Sequence, residues 1–510
     1  FSLVAGLQGT WDNGISYDFS VRTGESEIDY TLDRTLNPSM GRLSPTTHGL
    51  GNLINEETQM QADFTYELEG GPLLAFGASW MDESYDLGEG LPDSYRVGPY
   101  AVKDPHGFCN GSSPTTAGAA VIANGSSLNC ANSSDAVYRT VTPSSNGMAG
   151  RDPRFADTYD RNSTAIYADL SHDVTDQLFL QGALRYEDYD DFASELVWKL
   201  AGKFDISDTF GVRGSIGTSF RAPTPGQQST SNVSTRLPDG VPILTGTFPA
   251  GGPIGAALGF QPLKPELADN YTFGFTADVG DVDLTLDWFQ IDIQDTTYLG
   301  SFRPVSTDST SGSGYTNYQA LVATGVTLAD QLRGVRSFQS SFDAKYSGVD
   351  FVASTPVDWG DAGVTTLTAS VNYTKVEFDS PLSEYSGYIN AENRFDFENL
   401  DPNWRSVITA RHNIDRFSLI ARASYYGESE DSRSGTATQE FGSVWYTDIE
   451  GQYRINDMFK VTLGARNVFD QYPDKVDFTL GDYCCGRLYS TVTGMDWQGA
   501  YYYGRLEMDF

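Results

Sequence analysis

The chain has 510 residues and sets 33 Lys and Arg against 68 Asp and Glu, a net charge of −35, which excludes the basic face that nucleic acid requires. Hydrophobic residues make up 39% and aromatics 13%, too aromatic a mix for a disordered chain, and no apolar run approaches the ~20 residues of a membrane-crossing helix. Four Cys in this length are not a disulfide scaffold.

Short polar turns and longer polar connections alternate along the chain. Trp11-Asp12-Asn13-Gly14 reads as a tight turn, followed by a connection over 32–57. Glu69-Gly70-Gly71 is the next turn, then a connection over 88–157. Turns at 171–176 and 205–208 flank a brief connection at 188–191. Further turns at 278–281, 357–361, 413–416 and 455–457 are separated by connections at 298–340, 379–401 and 429–440. Connections at 221–265 and 471–498 complete the series. The turns carry the Asp, Asn and Gly of hairpins, and the connections are rich in Gly, Ser, Thr, Asn and Pro. Long connections on one side only are the pattern of a transmembrane barrel with long external loops.

The segments between connections alternate with period two. Leu178, Leu180, Leu184 and Tyr186 share one face against Gln181, Arg185 and Glu187. Val282, Leu284, Leu286 and Trp288 oppose Asp283, Thr285 and Asp287. Val461, Leu463 and Ala465 oppose Lys460, Thr462 and Arg466, and the last segment sets Leu506 and Met508 against Arg505 and Glu507. A soluble sandwich also alternates, but these strands run about 10–17 residues, against ~5–6 in soluble sheets. Their polar face is charged and their apolar face nearly free of charge, as lipid outside and water inside would require. The expected fold is all-β, an antiparallel transmembrane β-barrel with about 17 strands in this chain. Strand parity puts Phe1 at the external rim, so an odd number of earlier strands is expected before it.

Three local patterns then resemble the TonB-dependent outer-membrane receptors. Gly217-Thr218-Ser219-Phe220-Arg221-Ala222-Pro223-Thr224 looks like that family's strand end before a long loop. Leu263-Lys264-Pro265-Glu266, with Asn270-Tyr271 and Gly274, looks like the next strand's beginning. Asn467-Val468-Phe469-Asp470-Gln471-Tyr472-Pro473 looks like its penultimate-strand motif. Phe510, with Met508 and Leu506 on its face, resembles the terminal signal read by the barrel-assembly machinery. The resemblance implies a barrel of ~22 strands around a plug. Residues 1–510 would then be the barrel portion alone, without the plug, the earliest strands and the TonB-contacting segment.

The implied function is TonB-dependent, energy-coupled uptake of a scarce ligand (a siderophore, another metal chelate or an oligosaccharide) across the bacterial outer membrane. The implied partners are outer-membrane lipid, the TonB energy-transducing complex through a missing N-terminal segment, a small-molecule ligand and the barrel-assembly machinery. A passive diffusion porin of ~16–18 strands is the alternative, as is a surface-binding barrel without transport. The acidic composition suits cations or neutral ligands, unless the external arginines are locally concentrated.

No catalytic residue is expected, since Gly-x-Ser-x-Gly, phosphate-loop and His-Glu-x-x-His patterns are missing and the four His are scattered. No cofactor is required on this reading. Arg221 reads either as a contact to plug or ligand, or as a rim ion pair. Arg303, Arg333 and Arg336 either meet an anionic ligand such as a ferric chelate or keep their loop soluble. Tyr315 and Tyr318 offer rings for stacking on a sugar or chelate. Asp188, Asp190 and Asp191 are candidate ligands for a loop Ca²⁺, or a solvated charge run. Cys109 and Cys130 are expected to form a disulfide closing a polar loop. Cys484 and Cys485 admit a vicinal disulfide, free thiols or pairing across loops.

Overall fold

The period-two segments form one antiparallel sheet of 17 strands in the computed structural model. It describes residues 1–236, 243–326, 329–385, 387–432, 437–480 and 487–508, so Cys484, Cys485 and Phe510 lie outside the described residues. The first eight strands are β1 (Ser2–Thr10), β2 (Ser16–Asp33), β3 (Thr47–Glu67), β4 (Leu73–Leu87), β5 (Thr158–Thr175), β6 (Leu178–Tyr189), β7 (Glu195–Ser207) and β8 (Phe210–Arg221). Next come β9 (Glu266–Val279), β10 (Val282–Leu299), β11 (Phe338–Asp358), β12 (Val364–Phe378) and β13 (Trp404–Ile414). The last four are β14 (Phe417–Tyr426), β15 (Val444–Arg454), β16 (Phe459–Arg466) and β17 (Tyr501–Met508). Each pairs with its neighbour in sequence, the up-and-down meander that tight turns and long loops require. Among the described residues β1 pairs only with β2 and β17 only with β16.

Register carries the apolar face from strand to strand. Ile166 lies opposite both Ala78 and Tyr186, and Tyr186 lies opposite Leu196. Leu200 lies opposite Ile216, Phe273 opposite Trp288, and Leu286 opposite Phe351. Ile166 is 60% exposed, Leu200 57% and Leu463 67%, values that make sense only against lipid. The alternate face is wet and ionic. Tyr167 donates to Asp63 (2.6 Å), Gln181 to Asp169 (2.7 Å), Arg185 to Glu187 (2.8 Å) and Arg213 to Asp287 (2.8 Å). This lumen is not uniformly acidic, because its arginines sit among the carboxylates and pair with them.

One connection is much shorter than its composition suggests. The expected loop 32–57 shrinks to 34–46, because the polar start of β3 pairs with β2 from Thr47 opposite Asp33 onward. Strands that rise above the bilayer have water on both faces, so alternation fades there while pairing continues. The hairpin turn between β9 and β10 has Gly280 at φ +65°, a left-handed conformation that favours glycine.

The largest buried apolar core lies in the external loops, and two smaller ones form where loops pack on strand ends. Asn232–Arg236, Ile243–Thr247, Leu332–Arg336 and Arg303–Pro304 form a four-stranded sheet drawn from two different loops. Ile243–Thr247 pairs in parallel with Leu332–Arg336, so the connections after β8 and β10 fold as one unit. Leu244, Phe248, Leu321, Leu332 and Val335 are its nearly inaccessible centre. Two smaller cores gather Phe342, Phe378 and Tyr385, and Phe441, Tyr446 and Met495. The connections are therefore a folded cap.

If the two faces are lipid and lumen, Leu200→Arg at mid-strand should cost about 2–4 kcal/mol. Ala201→Arg on the adjacent lumen position should cost much less. Urea unfolding of the two variants in liposomes measures the difference.

Candidate functional site

The mouth of the barrel is built from strand ends and the loops they launch. β8 ends at Arg221 and β9 begins at Glu266, and the register sets the two directly opposite. Arg221 Nε and Nη2 donate to the two Glu266 carboxylate oxygens at 2.7 and 2.5 Å, a bidentate pair. Glu266 also accepts the Thr297 backbone N–H at 2.6 Å. Arg221 is thus a rim strut that closes the base of the 222–265 loop.

A second strut stands beside it. Arg161 of β5 is buried, pairs with Glu83 of β4 through Nε (2.9 Å) and donates to the Pro223 carbonyl oxygen (2.6 Å). Its guanidinium also lies over the rings of Tyr189 (5.2 Å) and Phe192 (5.9 Å). Nothing local in the sequence singles out Arg161, since its partners lie far away along the chain. The short helix Pro225–Ser229 starts from a capping box between Thr224 and Gln227, which orients Gln228 toward Asp191.

That contact decides the fate of the acidic triplet. Asp191 accepts from Gln228 (2.7 Å) and from the Tyr159 hydroxyl (2.8 Å), both through Oδ2. Asp188 stands in β6 opposite Thr164, and the Asp190 backbone N–H donates to the Asn162 carbonyl oxygen at 3.2 Å. Asp188, Asp190 and Asp191 do not converge, because period two turns Asp188 away and Asp191 is held by its neighbours. Among the described residues no group of three His, Cys, Asp or Glu could hold a metal ion.

The loop arginines divide by partner. Arg303 donates from Nη1 to the Leu258 carbonyl oxygen (3.0 Å) and stacks over Phe260 (4.4 Å) and Tyr388 (5.2 Å). Burial holds its guanidinium below the usual arginine range. Arg336 lies over Phe302 (4.4 Å) and reaches Thr247 Oγ1 (3.4 Å). Arg333 is exposed and donates to the carbonyl oxygens of Asp330 and Leu332. Arg303 and Arg336 are therefore internal braces of the cap, while Arg333 is bonded only to backbone carbonyls.

Tyr315 and Tyr318 share the helix Ser313–Ala323 with ring centroids 6.1 Å apart, and Tyr318 packs on the main cap core. Cys109 and Cys130 are joined by a disulfide with a Cα separation of 5.6 Å. Loop 88–157 is tied to its neighbours by Asp152 and Arg154. Arg154 Nε donates to Asp152 Oδ1 (2.8 Å), and Arg154 Nη1 donates to the Gly325 carbonyl oxygen (2.9 Å). The Arg154 hydrogen bonds hold the Asp152 carboxyl below its ordinary range. The arrangement offers charged, aromatic and hydrogen-bonding surfaces over a wet lumen.

Comparison with known proteins agrees with this architecture. The family model described as "TonB dependent receptor-like, beta-barrel" matches residues 2–468. A mutant form of the ferric enterobactin receptor PfeA of Pseudomonas aeruginosa superposes with a TM-score of 0.60 at 12% identity. That match covers 100% of this chain and 61% of the PfeA chain. The siderophore receptor PirA of Acinetobacter baumannii gives 0.57 at 14% identity, over 100% of this chain and 62% of PirA. In sequence, the vitamin B12 transporter BtuB of Photobacterium profundum is 32% identical over 65 residues, 13% of this chain and 11% of BtuB. The chain thus spans less than two thirds of the length of these proteins.

The Asp152 clamp carries a pH signature. A carboxyl whose folded pKa is depressed stabilises the fold above its unfolded pKa, ~3.9, and loses that contribution as pH falls through the folded value. Protection of the amides at 152–155 and 324–326, corrected for the intrinsic exchange rate, should fall below about pH 4. Asp152→Asn should raise exchange there at neutral pH and flatten its acid dependence, as hydrogen-exchange mass spectrometry measures.

Proposed function

This chain belongs to the TonB-dependent receptor-like β-barrel family, and on that premise we propose that it is the barrel of an outer-membrane receptor for energy-coupled uptake of a scarce ligand. The ligand class is a siderophore or another metal chelate, in line with the siderophore receptors it resembles in fold. The observation that carries this reading is the cap. The loops after β8 and β10 share a sheet and a buried core, and Arg161 and Arg221 fix the first of them to the barrel rim.

Such a cap gives a rare molecule a surface to be captured on before it enters the lumen. Below it, the paired lumen charges present alternating donors and acceptors along the path. The barrel supplies binding and passage and makes no bonds. On this reading the plug and the TonB contact belong to the part of the relatives' length that this chain does not span. The strand count of 17 sits near the ~16–18 of porins, which favours passive diffusion. A folded cap and membership of the receptor family weigh more.

The test is uptake of radiolabelled ferric chelates by cells that carry or lack the protein. Saturable uptake that disappears when TonB is deleted or the proton-motive force is dissipated is the expected result. Uptake that rises linearly with concentration and ignores both treatments contradicts it.

A further inference from the structure

Loops 34–46 and 88–157 enclose an external cavity of about 510 Å³, apart from the shared cap sheet. One wall is a ladder of rings. Tyr100 and His106 have centroids 5.6 Å apart, and His106 stacks on Phe108 at 5.2 Å with 27° between planes. The Tyr100 ring lies directly on Gly41, where a Cβ would stand 2.5 Å from a ring carbon, and Gly41 has φ +57°. Only glycine satisfies both demands.

The wall is braced from behind. The Asp104 carboxylate accepts the backbone N–H groups of Phe108 (2.8 Å) and Cys109 (2.7 Å). The Cys109–Cys130 disulfide follows immediately, and the Tyr138 hydroxyl donates to the Cys130 carbonyl oxygen (2.8 Å). The two loops are stapled together by buried Asn37 and Ser39. Asn37 Nδ2 donates to the Arg96 carbonyl oxygen (2.8 Å), and the Tyr100 N–H donates to that of Ser39 (2.9 Å). A cavity held this way keeps its shape when empty, which lowers the cost of binding.

Its charge is unlike the rest of the cap. Arg42 and Arg139 line the cavity and are not buried, and among the described residues neither guanidinium makes an ion pair or hydrogen bond. The facing carboxylate, Asp135, accepts the backbone N–H groups of Asn129 (2.9 Å) and Val137 (3.0 Å) and feels the Arg139 charge without a close ion pair, which leaves Arg42 with no carboxylate partner. In a chain of net charge −35, two such arginines beside an aromatic ladder form a local exception. Planar rings stack on His106 and Phe108, and an anion meets Arg42 and Arg139.

We propose that this cavity is a binding site for a planar aromatic anion, an aromatic carboxylate in its simplest form. The site deepens the receptor reading, on which its biological role rests, by naming the chemistry of the group captured. Binding itself requires no transport.

The test uses the protein purified from its native outer membrane and 2-naphthoate as the probe, followed by calorimetry. One naphthoate should bind per chain, and cyclohexanecarboxylate, with the same charge and no aromatic ring, should bind at least about tenfold more weakly. The surface variant Arg42→Gln/Arg139→Gln should fold normally by circular dichroism, weaken naphthoate about tenfold or more, and lose most of the salt dependence. His106→Ala should weaken naphthoate and leave the salt dependence in place. Absence of naphthoate binding, or binding unchanged in the double arginine variant, overturns the inference. Failure of the receptor reading is seen separately, as uptake insensitive to the proton-motive force while naphthoate binding is intact.

Discussion

A backbone crossing lipid must satisfy every N–H and C=O within the protein, and the rest of this structure depends on that constraint. Strands meet it by pairing edge to edge, which leaves side chains to face lipid and water on alternate positions. Hence Leu184, Leu200 and Ile216 point one way, and Gln181, Arg185 and Arg213 the other. It also explains why the largest apolar core lies outside the barrel. A lumen lined with ions cannot be packed dry, so Phe248, Leu321 and Val335 are buried in loops above the membrane instead.

Where strands leave the bilayer, a few ionic contacts transmit the barrel's order to the cap. Arg221 with Glu266 and Arg161 with Glu83 sit where loops begin, and each pair also engages the backbone beyond or beside its own strand. Arg303 then holds its loop to the preceding one through the Phe260 ring, and Arg336 does so through Thr247. Arginine serves this better than lysine would, because a planar guanidinium stacks and forks at once. Most of the positive charge at the mouth is thereby consumed in structure. Arg42 and Arg139 make no hydrogen bond or close ion pair among the described residues, and both line the aromatic cavity.

The barrel was legible in the sequence because its code is local. Alternation at 178–187 and 282–288 and the turn residues between segments led to about 17 strands, and 17 are present. Loop borders were less legible: Thr47 to Glu57 look like loop because Leu50, Leu53 and Ile54 fall on both faces among glycines and polar residues, so no alternation shows. The cap was illegible for a different reason. Its sheet pairs Leu244 with Leu332, and Arg221 finds Glu266 45 residues away, so no window of sequence contains the contact. Arg303 and Arg336 read as solvent-facing charges because their stacking rings come from other parts of the chain. The acidic triplet shows the same limit: sequence proximity does not show that Asp191 is held by Tyr159 and Gln228, which lie far away along the chain.

On the proposed reading, this barrel with its folded loops is a ligand receptor, not an open pore. Ion conductance of the protein purified from its outer membrane, inserted in planar bilayers, tests it most directly. The account predicts no steady open channel under modest voltage, with conductance appearing only when the protein is perturbed by denaturant. A stable, ohmic channel in the untreated protein would contradict it and establish passive diffusion.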